Sequence, residues 1–455
     1  MEENQRNINE KKEGLLGTLD WLSDTIFLWF KKILDHYGLL ILAIFLSLCA
    51  LGVRYAVFRY PSHDIYAFIF NWIKNFRANG NLAYLKEMQG DYPPLYMTVL
   101  ALISYLPSGP EVTTQRYNYF LYDMFYVKTL SFIFDFVLAF GVYKLVRLKN
   151  KDNHLLCFIS YIVPLFLPTV LVNSAFWGQC DVIYVAFVVW SVYFILKDDT
   201  FVSRMLSSAF IGLALANKLQ TIFIIPLFGY LWLKRKYKLR YLVFTISTVF
   251  VTFIPAYILG ASFVAPFQKY INLTQEYMNP NYNSGSIYSF IQDIAYRIND
   301  SGEPSNQYAN YVYNLIHYGG MIFALAISFF FLIILYKKDI QPTVEKMVGV
   351  GAFYAILLPF TLPHMHERYF FMADIMVLVY CLVNKKKYWL IFVAQLASMI
   401  TLMPYIFNSY IISSWGHHTL RIAALLNLFM LYVIFKDIIS PGNKAQSASL
   451  EKIEN

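Results

Sequence analysis

Charge is scarce in this sequence. Asp, Glu, Lys and Arg together make up 14% of the 455 residues, whereas hydrophobic residues make up 58%. Because soluble domains carry roughly 25% charged residues, this scarcity excludes an ordinary soluble globular protein. The apolar content also excludes disorder, and the ordinary numbers of glycine (20) and proline (17) exclude a collagen-like chain. The composition therefore predicts a polytopic membrane protein.

Cysteine is scarce as well. The four cysteines have no metal-type spacing and most lie within apolar runs, so we expect no disulfide framework. The net charge of +9 comes from basic clusters between apolar runs, which indicate membrane topology and a lipid environment, with no nucleic acid as partner. Residues 1–13 mix acidic and basic groups and no small-residue cleavage pattern follows, so we expect no cleavable signal peptide.

The apolar runs predict the membrane spans. A hydrocarbon core of about 30 Å requires about 20 helical residues. The runs that approach this length are 38–55, 124–146, 155–172, 180–197, 239–260, 316–336, 345–362, 369–383, 387–404 and 419–436. Residues 95–107 are too short and predict a half-spanning segment, whereas residues 206–232 contain Lys218 and predict two short helices that meet at a polar break.

The basic clusters predict the orientation of these spans, because Lys and Arg accumulate in cytoplasmic loops. All clusters become cytoplasmic if 95–107 dips into the membrane and returns, and if 206–232 is a hairpin whose tip faces outward. The clusters are Lys31/Lys32, Lys144–Lys151, Lys234–Arg240, Lys337/Lys338 and Lys385–Lys387. The alternative treats both irregular stretches as full spans, which would place Lys144–Lys151 outside.

The predicted fold class is all-α, a transmembrane bundle of about 10–13 membrane helices with amphipathic interfacial helices in two large external loops. The predicted parts are a cytoplasmic N-terminus with an interfacial helix (1–37), a catalytic module (38–385) with external loops 56–94 and 261–315, C-terminal transmembrane helices (386–438) and a cytoplasmic tail (439–455). Both termini are expected in the cytoplasm.

Asp64 is the first candidate for chemistry. The residues from Ile65 to Phe76 place apolar side chains on one helical face, which predicts an interfacial helix that begins beside Asp64. The carboxylate at this place can be a helix cap, as carboxylates often are. It can also be a general base held at the membrane surface.

Several other polar residues interrupt apolar sequence. Candidates for substrate binding are Asp91 and Tyr92 before Pro93-Pro94, Trp177, Gln179 and Asp181 in one short segment, Lys218 and Gln220 at the predicted hairpin tip, and Lys128. Ionisable groups at membrane depth are costly and usually functional. Lys128 lies seven residues before Asp135, so these two residues can instead compensate each other within one helix.

The densest polar cluster is the segment from Pro363 to Tyr369. It contains His364, His366, Glu367 and Arg368 on a predicted external turn. Guanidinium binds phosphate oxygens through two parallel hydrogen bonds, so this cluster favours an anionic oxygen ligand. A divalent metal is the alternative, but no further ligand at a recognisable spacing supports it.

Taken in order, these motifs resemble the GT-C superfamily of integral-membrane glycosyltransferases, and most of all bacterial relatives of dolichol-dependent mannosyl- and glucosyltransferases. The resemblance covers roughly residues 40–375 and rests on the first-loop acid, Asp-Tyr-Pro-Pro-Leu, Trp-Gly-Gln-x-Asp, Asn-Lys-Leu-Gln and His-x-His-Glu-Arg-Tyr. It implies transfer of a hexose from a polyprenyl-phosphate sugar to a hydroxyl of a glycan or lipid-linked acceptor, on the extracytoplasmic face.

The resemblance also implies residue roles. Asp64 matches the first-loop acid that deprotonates the acceptor in an inverting displacement. The sequence has no Asp-x-Asp metal motif, so we expect no cofactor. Asp91, Gln179, Asp181 and Lys218 would line the substrate cavity, and the charges of His366 and Arg368 suit a departing phosphate. Two functions from other classes are a secondary transporter that uses intramembrane carboxylates and a non-catalytic subunit of a glycan-assembly complex. The lack of internal symmetry and the large external loops speak against a transporter.

Overall fold

The fold was analysed in a computed structural model, which describes residues 2–114, 118–273, 279–291, 306–407 and 417–440. These residues are almost entirely helical, which confirms the predicted all-α polytopic fold. The α-helices are α1 (Glu2–Val57), α2 (Phe70–Ala78), α3 (Pro94–Ile103), α4 (Leu121–Asn150), α5 (His154–Phe166), α6 (Pro168–Leu171), α7 (Asp181–Lys197), α8 (Phe201–Asn217), α9 (Ile225–Leu233), α10 (Leu242–Ile258), α11 (Ala265–Leu273), α12 (Gln307–Lys337), α13 (Val344–Thr361), α14 (Phe371–Asn384), α15 (Trp389–Phe407) and α16 (His417–Ile439).

Shorter elements connect these helices. Two π-helical turns cover Ile65–Ile69 and Val172–Trp177, and 3-10 turns cover Asn81–Glu87, Leu219–Ile224, Leu239–Tyr241 and Ile287–Phe290. Strands β1 (Glu111–Thr113) and β2 (Asn118–Phe120) pair antiparallel, whereas β3 (Asn281–Tyr282) and β4 (Met365–His366) pair in parallel.

The chain divides into two compact units, Met1–Gly52 and Val53–Asn455. The helix that begins at Glu2 continues without a break to Val57. The sequence predicts an interfacial helix up to residue 37 and a separate span over 38–55; no break separates them in the structure, and the apolar, span-length part begins already at Thr25. The interfacial position of the first helical turns stays a prediction.

Six helical segments of the described chain are long and apolar enough to cross a membrane: Thr25–Val57, Leu121–Asn150, Leu239–Ile258, Gln307–Lys337, Val344–Thr361 and His418–Ile439. The run predicted as one span over 155–172 is instead a pair of helical segments, His154–Phe166 and Pro168–Trp177, bent by 43°. Pro168 explains the bend, because proline cannot continue the hydrogen-bond ladder of the preceding helix. Further apolar helices are shorter, among them α3, α8 and α14.

The two irregular stretches, 95–107 and 206–232, have the predicted form: the first contains a short helix and the second contains a break. Helix α3 has 10 residues and rises only about 15 Å, half the thickness of the hydrocarbon core. Helix α8 ends at Asn217, and Lys218 takes an extended conformation (φ −149°, ψ 139°) before a 3-10 turn and α9. The sequence therefore predicted the polar break at Lys218 correctly.

The end of α1, which precedes α3, runs antiparallel to the start of α4, which follows it. The Arg54 guanidinium bonds the Asp135 carboxylate of α4 at 2.6 Å. Six residues later in the chain, the carbonyl of Tyr60 accepts a hydrogen bond from Lys128, which lies seven residues before Asp135 in α4. The segment between residues 57 and 121 thus leaves and re-enters the bundle at the same level. This geometry agrees with a half-spanning α3 and disagrees with α3 as a full span.

The basic clusters of the second unit lie at one end of the bundle, where they form ion pairs with acidic residues. Lys149 at the end of α4 pairs with Glu345 at the start of α13 at 2.6 Å, and Lys386 after α14 pairs with Asp437 in α16 at 2.7 Å. Lys234 after α9 pairs with Asp339 after α12. Helices α13 and α14 are buried on nearly all sides, so they form the centre of the bundle and lead from this basic end to the opposite one.

Candidate active site

A cavity of about 540 Å³ lies at the opposite end, where the loops before α2, α3, α7, α9 and α14 meet. Its volume is within the range of about 300–1,000 Å³ that small-molecule sites occupy. Ten of the residues predicted as catalytic or substrate-binding line it: Asp64, Asp91, Tyr92, Gln179, Lys218, Gln220, His364, His366, Glu367 and Arg368. The fold thus brings together residues that lie up to about 300 positions apart in the sequence.

The Asp64 carboxylate is turned away from the helix that follows it. The hydroxyl of Ser62 accepts a hydrogen bond from the backbone N–H of Ile65 at 3.3 Å, so Ser62 caps this helix. Asp64 makes no side-chain capping bond. Its Oδ2 instead accepts a hydrogen bond from the indole N–H of Trp177 at 3.0 Å and another from the amide of Gln179. The alternative of a simple helix cap is therefore wrong.

Gly178 allows this approach. It has φ +74°, and a Cβ added there would lie 2.3 Å from Cδ1 of Ile65. Only glycine adopts this conformation without strain and leaves room for the helix that begins beside Asp64. The hydroxyl of Ser62 also donates to the carbonyl of Trp177 at 2.6 Å, which ties the two segments together.

Lys128 does not line the cavity, contrary to its prediction as a substrate-binding residue. Its ammonium group is fully buried and donates to the backbone carbonyls of Tyr60, Ala175 and Phe176 at 2.7, 2.8 and 2.9 Å. An ammonium group has three N–H donors, so these bonds use all of them. Lys128 therefore joins the segment before Asp64 to the segment before Gln179.

Asp135 is not the partner of Lys128, so the predicted compensation within one helix is wrong. Asp135 pairs with Arg54 and accepts a hydrogen bond from the Ser174 hydroxyl, both at 2.6 Å. All three side chains are fully buried. Sequence spacing could not reveal this pairing because Arg54 lies 81 residues away.

Asp181 and Trp177, both predicted to bind substrate, are not among the residues that line the cavity. Asp181 is 1% exposed and forms an ion pair with Lys218, and its other oxygen accepts from the amide of Asn173 at 2.8 Å. The Lys218 ammonium also lies 5.1 Å from the ring centre of Tyr92. The Tyr92 hydroxyl in turn donates to Oε1 of Gln179 at 3.0 Å.

The loop between α13 and α14 supplies the cationic group. Nη1 of Arg368 lies 3.2 Å from Oε1 of Glu367 and 3.6 Å from Oδ2 of Asp64. Burial alone would lower the pKa of Arg368, but the carboxylates of Asp64 and Glu367 raise it well above its usual value. The guanidinium also lies 5.4 Å from the ring centre of Trp177. Arg368 is therefore a permanently charged group beside Asp64.

The other titratable groups of this loop respond to burial. Burial raises the pKa of Glu367, but the neighbouring His366, whose Nδ1 lies 3.8 Å from Oε2, and the charge of Arg368 lower it below its usual value. Burial lowers the pKa of His366 despite the neighbouring Glu367. Glu367 is thus ionised at pH 7.

Asp91 and Gln220 occupy other parts of the wall. Burial raises the pKa of Asp91, and the charge of Lys269 opposes this shift. Gln220 lies in the 3-10 turn that follows Lys218 and lines the cavity, as Tyr369 does.

The sequence reasoning missed several lining residues, among them His63, Trp72, Tyr282 and His317. His317 had a detectable signal, because it is a titratable residue at the start of an apolar run predicted as a span. Tyr282 had none: it reaches the cavity because β3 pairs with β4, which contains His366. The rings of Tyr282 and His366 stack with centroids 4.7 Å apart.

No group of three or more His, Cys, Asp or Glu side chains with a metal-binding arrangement occurs among the residues that the structure describes. The site instead joins carboxylates, a guanidinium, amides and aromatic rings. Such a set suits sugar hydroxyls and anionic oxygens.

Comparison with known families agrees with this chemistry. The model of glycosyltransferase family 87 matches residues 92–359, more than half of the chain. The chain belongs to this glycosyltransferase family. The predicted resemblance to membrane glycosyltransferases is thereby confirmed, and a search of curated proteins found no match.

The family 87 match covers only part of the cavity. It includes Tyr92, Gln179 and Lys218, whereas Asp64 and the segment His364–Arg368 lie outside the matched range. The cavity nevertheless contains residues from inside and outside the matched range. Helix α13 ends just beyond this range and leads directly into the loop that contains Arg368.

Proposed function

We propose that this glycosyltransferase moves a hexose from a polyprenyl-phosphate sugar to a hydroxyl of a glycan or lipid-linked acceptor. Family membership supports sugar transfer as such, and it favours an enzyme over a transporter or a non-catalytic subunit. The observation that carries the finer proposal is the position of Asp64. Its carboxylate lines the cavity and lies 3.6 Å from the guanidinium of Arg368.

The proposed reaction is an inverting displacement. The carboxylate of Asp64 takes the proton of the acceptor hydroxyl while that oxygen attacks the anomeric carbon. The bond between the anomeric carbon and the phosphate oxygen breaks, and its electron pair leaves with the polyprenyl phosphate. One general base and stabilisation of the leaving phosphate are sufficient for this step.

Contact between Asp64 and Arg368 couples these two requirements. In the resting site the guanidinium is shared by the carboxylates of Asp64 and Glu367. When Asp64 accepts the proton it becomes neutral, so it no longer competes for Arg368. The guanidinium then becomes available to the phosphate at the moment when negative charge develops on the leaving oxygen.

Other cavity residues complete the proposed site. Gln179 and Trp177 hold the carboxylate of Asp64, and His366 lies beside Glu367 close to the phosphate position. Asp91, Lys218 and Gln220 offer polar contacts to sugar hydroxyls, with Asp181 acting through Lys218. We further propose that the reaction does not require a divalent metal.

The proposed face is extracytoplasmic. The cavity lies at the end of the bundle opposite the ion pairs of Lys149, Lys234 and Lys386. Basic clusters accumulate on the cytoplasmic side of membrane proteins. The lipid donor would therefore present its sugar on the outer leaflet.

The test uses purified full-length protein in nanodiscs with radiolabelled hexose donors. Polyprenyl-phosphate glucose and polyprenyl-phosphate mannose are compared with the corresponding nucleotide sugars, with and without EDTA. We expect transfer from a lipid donor only, unchanged by EDTA. Transfer from nucleotide sugars alone would contradict the donor class. A cysteine introduced at Lys149 and labelled from outside the cell would contradict the proposed orientation.

A further inference from the structure

His317 and His364 form a pair on the cavity wall away from the proposed base. His317 belongs to α12 and His364 to the loop after α13, and Nδ1 of His317 lies 3.0 Å from Nε2 of His364. Both residues line the cavity and both are buried. The described contacts determine which nitrogen of each ring carries a proton.

His364 has the clearer assignment. Its Nδ1 lies 2.7 Å from the carbonyl oxygen of Asn279, and a carbonyl only accepts, so Nδ1 must carry the proton. Burial, together with His317 and His366, lowers the pKa of His364 to about 4 against the opposing carbonyl of Asn279. At neutral pH the ring therefore has one proton, on Nδ1, and Nε2 is an acceptor.

The backbone holds His364 in this arrangement. Its N–H donates to the carbonyl of Pro280 at 2.9 Å, and its φ of +62° lies in the left-handed region that a histidine rarely adopts. Such conformations persist where the surrounding structure enforces them, often at functional sites. The imidazole is thus fixed by both its ring and its main chain.

The tautomer of His317 follows from that of His364. Because Nε2 of His364 is an acceptor, Nδ1 of His317 must donate to it. His317 is buried, and burial favours the uncharged form of an imidazole. The neutral ring then has a lone pair on Nε2, and no hydrogen bond to this atom occurs within the described part of the chain. Nε2 is therefore the polar atom through which His317 can contact a molecule in the cavity.

We propose that Nε2 of His317 accepts a hydrogen bond from a sugar hydroxyl, of either the donor hexose or the acceptor glycan. A phosphate oxygen does not fit this neutral nitrogen, because both atoms are acceptors. The apolar residues Met321, one helical turn after His317, and Pro363, next to His364, also line the cavity, as suits the carbon face of a sugar. This inference rests on the proposed function and adds a residue that selects the substrate.

The key variant is His317→Asn. The shorter amide keeps a donor near the position of Nδ1, so the bond to His364 can remain, whereas the acceptor at Nε2 is lost. We expect kcat/KM for the natural sugar to fall about three- to tenfold, the value of one neutral hydrogen bond. His154→Asn is the matched control, because His154 is exposed at the basic end, and it should leave kcat/KM unchanged.

Monodeoxy sugars identify the hydroxyl. Each hydroxyl is removed in turn from the donor hexose in one series and from the acceptor in another. Removal of one particular hydroxyl should lower kcat/KM of the wild type by the same factor as the change His317→Asn does. The kcat/KM of the variant should not fall further with that deoxy sugar. Equal kcat/KM for the variant and the wild type, or equal losses for both with every deoxy sugar, would overturn the proposal.

Ligand binding separates this proposal from the proposed function. Polyprenyl-phosphate hexose and, separately, the acceptor should raise the melting temperature of the wild type. One of these increases should be smaller for His317→Asn. Equal increases in both proteins for both ligands would overturn the role of His317 alone. Ligands that stabilise the wild type without any sugar transfer would overturn the proposed function alone.

Discussion

The indole N–H of Trp177 donates a hydrogen bond to Oδ2 of Asp64 at 3.0 Å and joins residues 113 positions apart. The same oxygen lies 3.6 Å from the guanidinium of Arg368, which in turn lies over the Trp177 ring. One tryptophan thus contacts both the proposed base and the proposed phosphate ligand. The contacts among Asp64, Trp177 and Arg368 are therefore the first to test by substitution.

Asp64→Asn should abolish most of the sugar transfer. The amide is almost the same size as the carboxylate but cannot accept the acceptor proton, and general bases contribute about 10²–10⁴-fold to the rate. The measurement is kcat with a polyprenyl-phosphate hexose, and Asp152→Asn, exposed at the basic end, is the control. Transfer at more than a tenth of the wild-type rate would exclude Asp64 as the base.

Trp177→Phe should lower kcat about tenfold with little change in KM. The aromatic ring remains in its fully buried position, but the N–H that orients the carboxylate is lost. Trp190→Phe is a suitable control because its indole N–H bonds the carbonyl of Val137, away from the cavity. A larger effect of the control than of Trp177→Phe would show that the loss reflects general packing.

Lys218→Met should destabilise the protein far more than the double variant Lys218→Met/Asp181→Asn. The single change leaves a carboxylate buried without its cation, which costs about 3–5 kcal/mol. Thermal unfolding in detergent of both single variants and the double variant measures the coupling. Asp339→Asn breaks the pair with Lys234, in which the Asp339 side chain is 75% exposed, and should cost less than about 1 kcal/mol. Additive effects of the Lys218 and Asp181 changes would contradict a coupled pair.

Acidification should destabilise the fold through His364. Its pKa is about 4 in the folded protein, whereas the ordinary value for a histidine is 6.5, so between these values the unfolded chain binds more protons. Stability therefore falls as the pH falls through this window, by about 3 kcal/mol at most for this group.

The variant His364→Asn tests this dependence. Asparagine tolerates a positive φ and its amide can donate to the Asn279 carbonyl, so the local structure can persist without a titrating ring. The melting temperature should then decrease less between pH 7 and pH 4.5 than that of the wild type. Parallel curves for the two proteins would show that other groups account for the acid sensitivity.

Much of the fold was predictable because it depends on local properties of the chain. Apolar run lengths predicted where apolar helices lie, although six described segments are span-length against the predicted 10–13 membrane helices. The short run after Pro94 and the polar break at Lys218 appear where expected. The bend at Pro168 and the uninterrupted helix from Glu2 to Val57 were not predicted. In both cases hydropathy marks where apolar residues lie but does not determine whether a helix continues between them.

The sequence predicted most of the residues that line the site, but it did not predict which of their side chains contact each other. Ten predicted residues line one cavity, since scarce polar groups in an apolar sequence are easily recognised. Their roles were harder to assign: Ser62 caps the helix in place of Asp64, and Lys128 binds three carbonyls in place of a substrate. His317 had a detectable signal in the sequence, but its contact with His364, 47 residues away, was not predictable.

The sequence by itself determined that this is a membrane protein, and its few charges separate into basic clusters and a small polar set. Only the tertiary structure decided that Asp135 pairs with Arg54, that Asp181 pairs with Lys218, and that Arg368 lies against Asp64. The physical reason is that composition and hydropathy act along the chain. The partners of a buried charge are instead selected by which helices pack together, since each buried charge requires a nearby ion or hydrogen-bonding group.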